Sequence, residues 1–270
     1  MGSALITDVA TFRPAIVAPT FNNAGTLGEI LGRLEVSGLP IFAVNDGSTD
    51  QTGDILGRWG CSGEGRHVCV HPTNRGKAAA LRSGFAAADA AGFSHAVTID
   101  TDGQLPPEEV PAMLAAAAAC PAALVLGARD ELARDYPVRS RLGRRVSNLL
   151  VRWECGQRVL DSQCGLRVYP LALARAGCCR AEYFGFETEI IVRAAWEGTP
   201  IASVPVGCRY FTAAERVSHF RPWRDSFRAV AMHVRLLVES MRIEPRAAVL
   251  TRPEDSTPIE ALLPLAGGAE

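Results

Sequence analysis

Two carboxylates and an amide stand close together at Asp100-Thr101-Asp102-Gly103-Gln104. Their oxygens are hard ligands, suited to Mg2+ or Mn2+. Such an ion bridges a diphosphate and stabilises the charge that group gains on leaving. The same residues can also make a plain turn, with Asp102-Gly103 at its tip and Asp100 capping a helix. Their position, after an apolar strand and before Gly-Gln, favours the metal. A second acidic turn, Asp46-Gly47-Ser48, offers a carboxylate to a nucleobase edge, or else only shapes its turn, with Asp50 capping the next helix. Asn74-Arg75-Gly76-Lys77 leads into a helix whose first turn favours an anion. It is not a Walker A loop, because His71 stands where the first glycine belongs and Ala78 follows the lysine. Lys77 could equally be a solvated surface residue.

These clusters share one feature: each follows a short apolar run. Strands are predicted at Ala15–Ala18, closed by Pro19, and at Ile41–Val44, His67–Val70, Ala96–Ile99 and Ala123–Leu126. Helical periodicity follows each of the first four, over Thr26–Leu34, about Asp50–Trp59, about Gly76–Ala91 and from about Pro107. Alternation of this kind makes an α/β fold with a mostly parallel central sheet flanked by helices. Ligands of such sheets bind beyond the carboxyl ends of the strands, which is where the polar clusters fall. After Arg129 the pattern changes. Asp130–Arg145 is dense in charge and reads as beginning in a loop, and a helix is expected around Val146–Glu154. A polar segment follows at Asp161–Arg167, then a helix over Phe186–Trp196 and a late strand over Ile201–Val206. A last helix, Pro222–Met241, carries Phe227, Val230, Val234, Leu237, Val238 and Met241 toward one side, with Arg224, Arg228, Arg235 and Arg242 elsewhere. Two roles suit it: an interfacial anchor, or a helix docked on the core with a basic edge.

The chain has 270 residues and a net charge of -1, so overall charge does not make it a nucleic-acid binder, and anion recognition must be local. Its eight cysteines show no C-x2-C zinc spacing, and Cys178-Cys179 are adjacent; reduced, packed thiols are expected. The start lacks a secretory signal, and no window reaches the roughly 18 to 20 apolar residues that span a bilayer. The expectation is a cytoplasmic protein, able to lie peripherally at the inner face of the membrane.

Taken together, the segments resemble family 2 glycosyltransferases, in the branch of dolichyl-phosphate mannosyltransferase and polyprenyl-phosphate glycosyltransferases. The residues carrying the resemblance are Val17–Asn22, Val44–Asp50, Asn74–Lys77, Asp100–Gln104, Gly127–Arg129 and Asp161–Arg167, with Phe186–Glu189 and Val204-Pro205 later. The resemblance implies a GT-A fold, a nucleotide-binding half joined to an acceptor half, and inversion at the anomeric carbon. It implies a hexose donor linked to UDP or GDP. The implied acceptor is a polyprenyl phosphate or another membrane-associated lipid carrier. By it, Pro19, Phe21 and Asp46 line the nucleoside pocket, with Lys77 and Asp100 also on the donor. Asp100, Asp102 and Gln104 hold Mg2+ or Mn2+, and Arg129 with Arg141 or Arg145 meets an acceptor phosphate. Asp161 lies at the reacting centre. Where that branch carries Gly-x-Ser-Lys, this chain has Arg216-Val217-Ser218-His219, which makes Ser218 a further acceptor candidate. Asn23 stands where the family often has Glu, and Asn45-Asp46 where it has paired aspartates.

The expected organisation is an extension over 1–13, a nucleotide-sugar half over 14–129 and an acceptor half over 130–221. A basic amphipathic helix over 222–242 and a flexible tail over 243–270 complete it. A phosphate acceptor is already anionic and needs positioning by arginines, whereas a hydroxyl acceptor needs a base, for which Asp161 is the first choice. Asp161 could instead pin Arg167 in a structural ion pair. Two further readings are a sugar nucleotidyltransferase, disfavoured because Phe21-Asn22-Asn23-Ala24 replaces the glycine- and arginine-rich loop expected there, and a non-catalytic nucleotide-sugar binder.

Overall fold

The computed structural model describes residues 12–130, 138–175, 179–210 and 222–241. Ser218 and the segments 1–11 and 243–270 lie outside the described residues. Seven strands form one sheet: β1 (Pro14–Thr20), β2 (Ile41–Asn45), β3 (Arg66–Val70), β4 (His95–Thr98), β5 (Leu124–Arg129), β6 (Arg167–Pro170) and β7 (Ile201–Val206). Their order across the sheet is β3-β2-β1-β4-β6-β5-β7. All neighbours are parallel except β6, which runs antiparallel to both β4 and β5. The five early strands and β7 fall where the apolar runs predict them. β6 is not among the expected strands, because its four residues, Arg167–Pro170, are too few to show a period.

Helices cover both faces. Leu27, Ile30, Leu31 and Leu34 of α1 (Ala24–Glu35) bury their stripe against one face, together with Leu56 of α2 (Thr52–Gly60) and Val110, Met113 and Ala117 of α4 (Val110–Ala119). The other face packs against α3 (Lys77–Ala90), α6 (Leu171–Arg175) and α7 (Gly185–Trp196). Strand residues alternate between the two cores, with Ala15 and Val17 on one side and Ile16 on the other. The central strands β1, β2 and β4 are thus buried on both faces, which is why they read as continuous apolar runs, whereas β3, at the sheet edge, is only partly covered.

Two helices complete the second layer: α5 (Val138–Cys155) and α8 (Pro222–Ser240). α5 begins eight residues before the helix expected from Val146, so part of the charged stretch expected to be loop is helical. Both bury polar residues and leave an apolar stripe exposed. α5 buries Arg144, Ser147 and Glu154 and leaves Leu142, Val146, Leu149 and Trp153 exposed. α8 docks through Asp225, Met232, His233 and Leu236, while Phe227, Val230, Val234, Val238 and Met241 are exposed. The apolar stripe of this last helix therefore does not face the core. A buried hydrogen bond from His233 Nδ1 to Glu154 Oε1, 2.7 Å, ties the two helices together.

Candidate active site

Chain order and sheet order diverge at β1: the chain runs outward through β2 and β3, then returns to place β4 on the other side of β1. Such a switch opens a crevice beyond the carboxyl ends of the two strands. Because β6 is antiparallel, its first residue, Arg167, lies opposite Thr98 and Leu126 at that same end of the sheet. The polar segment preceding it, from Asp161, is thereby delivered to the crevice.

Loop-to-loop hydrogen bonds hold one side of the crevice. The backbone N–H of Asn22 donates to Ser48 Oγ (3.0 Å), and Asn22 Oδ1 accepts from the Thr49 N–H (2.8 Å). The Asn23 and Thr101 side chains are bonded at 2.8 Å. Pro19 is buried within β1, opposite Val44, and Phe21 is half-buried just beyond it. Asp46 is buried, and its carboxylate accepts from the backbone N–H groups of Arg75 (3.0 Å) and Gly76 (2.7 Å) and from His71 Nδ1 (2.7 Å). His71 Nε2 reaches Ser83 Oγ at 2.9 Å. Asp46 thus anchors the loop that presents Lys77, a task its sequence position does not announce.

Lys77 is no surface residue. Its ammonium lies 2.6 Å from Asp100 Oδ1 and 2.9 Å from Glu187 Oε2. Burial alone would depress its pKa, but the two carboxylates outweigh that and hold it well above the ordinary lysine value. Asp102 Oδ1 accepts from the Gln104 N–H at 3.0 Å, closing the turn, and Gln104 O accepts from the Arg209 N–H at 2.8 Å. Asp102 and Gln104 are half-buried. Gly165 lies against this corner: a Cβ there would stand 2.2 Å from Asp100 Oδ2 and 3.1 Å from Lys77 Nζ. Thr98 Oγ1 fixes the Gly165 carbonyl at 2.9 Å.

The second cluster at the crevice centres on Asp161, which is fully buried. Oδ2 accepts from Arg129 Nε (2.7 Å) and from the Arg144 guanidinium (3.0 Å); Oδ1 accepts from a terminal nitrogen of Arg129 (3.1 Å) and from the Gln163 N–H (3.0 Å). Burial opposes its charge, yet the hydrogen bond from Arg129 and the charges of Arg129 and Arg144 prevail and hold the carboxyl below the ordinary carboxylate range. The alternative pairing with Arg167 does not form. Arg167 is buried and donates to the carbonyls of Cys164, Ser162 and Glu187 instead. Arg144, not singled out in the sequence, is the helical arginine that turns inward. Arg141 is half-buried and Arg145 exposed. The three share less than two turns of α5, and only the helix's docking phase tells them apart. Cys208, near the end of β7, is half-buried, and burial chiefly raises its thiol.

The donor set fits a divalent cation only in part. Asp100, Asp102 and Gln104 supply hard oxygens, and the missing side chain at Gly165 lets the Asp100 carboxylate lie close against the backbone there. Among the described residues, no three His, Cys, Asp or Glu side chains gather as a cage. A partial set suits an ion that takes its remaining ligands from phosphates and water.

Residues 15–180 match the glycosyl transferase family 2 domain. The chain is a member of glycosyl transferase family 2. This glycosyltransferase is 28% identical over 202 residues to the undecaprenyl-phosphate mannosyltransferase of Micrococcus luteus, covering 72% of this chain and 82% of the relative. It is 29% identical over 212 residues to the polyprenol monophosphomannose synthase of Mycolicibacterium smegmatis, covering 74% and 80%. Glucosyl-3-phosphoglycerate synthase of Mycobacterium tuberculosis, solved with Mn2+, UDP and glucosyl-3-phosphoglycerate, superimposes with a TM-score of 0.63 at 19% identity, over 87% of this chain and 82% of that one. The glycosyltransferase thus has the GT-A fold the resemblance implied. Membership of this family sets aside the nucleotidyltransferase reading.

Proposed function

We propose that this glycosyltransferase moves a hexose, with inversion, from a UDP- or GDP-linked donor to a lipid phosphate. The observation that carries the choice of acceptor is the Asp161–Arg129–Arg144 cluster. Two guanidinium groups converge on one buried carboxylate beside the crevice, and Arg129 remains partly open to it. A phosphate acceptor is already an anion and needs only to be held and aimed. A hydroxyl acceptor would need a base, and Asp161 is poorly suited: its carboxyl is held low and both oxygens already accept from N–H donors. Asp161 therefore acts as a positioning residue that aims Arg129.

On the donor side, Pro19 and Phe21 border the nucleoside, while Asp46 sets the loop before Lys77. Asp100, Asp102 and Gln104 would hold Mg2+ or Mn2+, which when bound neutralises the leaving diphosphate. Lys77 pairs with Asp100 at 2.6 Å and keeps it oriented for that task. The relatives' action on undecaprenyl phosphate and polyprenol phosphate supports the lipid acceptor. The test is transfer from radiolabelled UDP- and GDP-hexoses to undecaprenyl phosphate and, in parallel, to undecaprenol. Product on the phosphate alone is expected; equal transfer to the alcohol would overturn the acceptor assignment.

A further inference from the structure

Among the described residues, Asn22 and Tyr183 are the only non-glycine residues with a positive φ, at 49° and 53°. Asparagine tolerates the left-handed region. A bulky aromatic does not, and it is kept there only where its surroundings hold it. Three sets of hydrogen bonds do so around Tyr183. Arg82 of α3 donates to the carbonyls of Cys179 and Ala181, both at 3.0 Å. The buried Glu189 carboxyl group accepts from the backbone N–H groups of Arg180 and Ala181. The Gly185 N–H closes a turn onto the Glu182 carbonyl at 3.1 Å.

The strained backbone lays the ring on the loop that carries Lys77. A Cβ on Gly76 would stand 2.5 Å from Tyr183 Cδ1 and 2.8 Å from Cε1, so the ring fills the space a side chain would take. Gly76 is itself at a φ of 88°, and its N–H donates to Asp46 Oδ2 at 2.7 Å. The Arg228 guanidinium of α8 lies over the ring, 4.0 Å from its centre. Tyr183 belongs to neither hydrophobic core. It is half-buried and lines a cavity of about 280 Å3 with Arg75, Arg82 and Glu182. Its contact with Gly76 is therefore no by-product of core packing.

We propose that Tyr183 is a positioning residue for the nucleotide-sugar donor: its ring, together with Asp46, restrains Gly76 and so fixes where Lys77 stands. Lys77 in turn bridges Asp100 and Glu187, so a shift of this clamp reaches the corner that takes the diphosphate. One short segment holds both residues of the loop, with the Tyr183 ring on Gly76 and the Glu187 carboxylate on Lys77. The inference rests on the reading of that corner as the donor side.

Tyr183→Gly removes the ring but also relieves the left-handed strain, so stability against urea should stay near that of the parent. Donor affinity, measured by titration calorimetry of UDP- and GDP-hexoses with Mn2+, should fall at least about tenfold, the scale on which outer-shell partners of a metal site act. Tyr183→Phe keeps the ring and should retain the parent's affinity. With no donor present, amide exchange over Gly76–Ala80 should quicken in Tyr183→Gly and not in Tyr183→Phe. Parent affinity in Tyr183→Gly, an equal loss in Tyr183→Phe, or unchanged exchange would overturn the proposal. So would a loss of affinity matched by a loss of stability, which would make the ring a structural part only. A parent that binds neither donor would overturn it by way of the donor-side reading, and the exchange comparison tells that failure from a failure of the clamp.

Discussion

Asp161 and Gly165 sit four residues apart and constrain the site by opposite means, one through charge and one through the absence of a side chain. Replacing Asp161 with Asn would remove the buried charge that Arg129 and Arg144 both bond, at a cost of about 3 kcal/mol or more. Urea unfolding measures that loss. The same carboxylate sets a pH dependence. Its folded pKa lies below the ordinary 3.8, so its contribution is present above that value and lost as pH falls through the folded one. Stability of the parent should therefore drop on acidification below pH 3.8 more steeply than that of Asp161→Asn. Gly165→Ala should act differently. A methyl group 2.2 Å from Asp100 Oδ2 must displace that carboxylate and disturb Lys77. Metal-dependent donor turnover should fall by about a hundredfold, the scale on which misplacing a reacting group is felt, while the melting temperature changes less than in Asp161→Asn. Asp100 and Asp102 are legible as candidates from their types and setting, and Asp161 from the family resemblance. The tasks of Lys77, Asp46 and Gly165 are not, because each depends on a neighbour remote in sequence: Glu187, the Arg75 and Gly76 amides, and Asp100.

Among the elements, α5 and α8 are where periodicity misleads. An apolar stripe ordinarily marks the face that docks. Here the docking faces carry Arg144, Ser147, Glu154, Asp225 and His233, because each buried polar group meets a partner or borders the site. His233→Ala should test that arrangement. It leaves Glu154 buried without its 2.7 Å partner, a loss of about 1–3 kcal/mol. Amide exchange should quicken along α8 while the sheet strands keep their protection. β6 is the complementary case. Its four residues, Arg167–Pro170, are too few to show a period, and they pair antiparallel between strands separated from them by tens of residues.

For the molecule as a whole, the two halves of the site belong to one sheet, so ligand binding on one side should stabilise the entire domain. A donor that fits should raise the melting temperature only with a divalent cation present. At a hundredfold excess over Kd the stabilisation is about 2.7 kcal/mol, or roughly 5–10 °C for a chain of this size. A thermal-shift panel of UDP- and GDP-hexoses with Mn2+, Mg2+ or chelator measures it and identifies the base. Asp102→Ala should abolish the cation's effect without preventing folding, since its side chain is only half-buried.

The order of strands and helices through β5, the metal-type cluster after β4 and the glycosyltransferase family are written in local patterns: apolar runs, turn residues and short motifs at fixed spacing. Those patterns are local because a strand is buried or a turn made largely by its own residues. The insertion of β6 beside β4, the selection of Arg144 over Arg141 and Arg145, and the outward turn of two apolar stripes were decided by the tertiary structure. Each depends on which face of an element meets which neighbour. Packing and charge pairing across long stretches of chain settle that choice, and no spacing within a single segment records it.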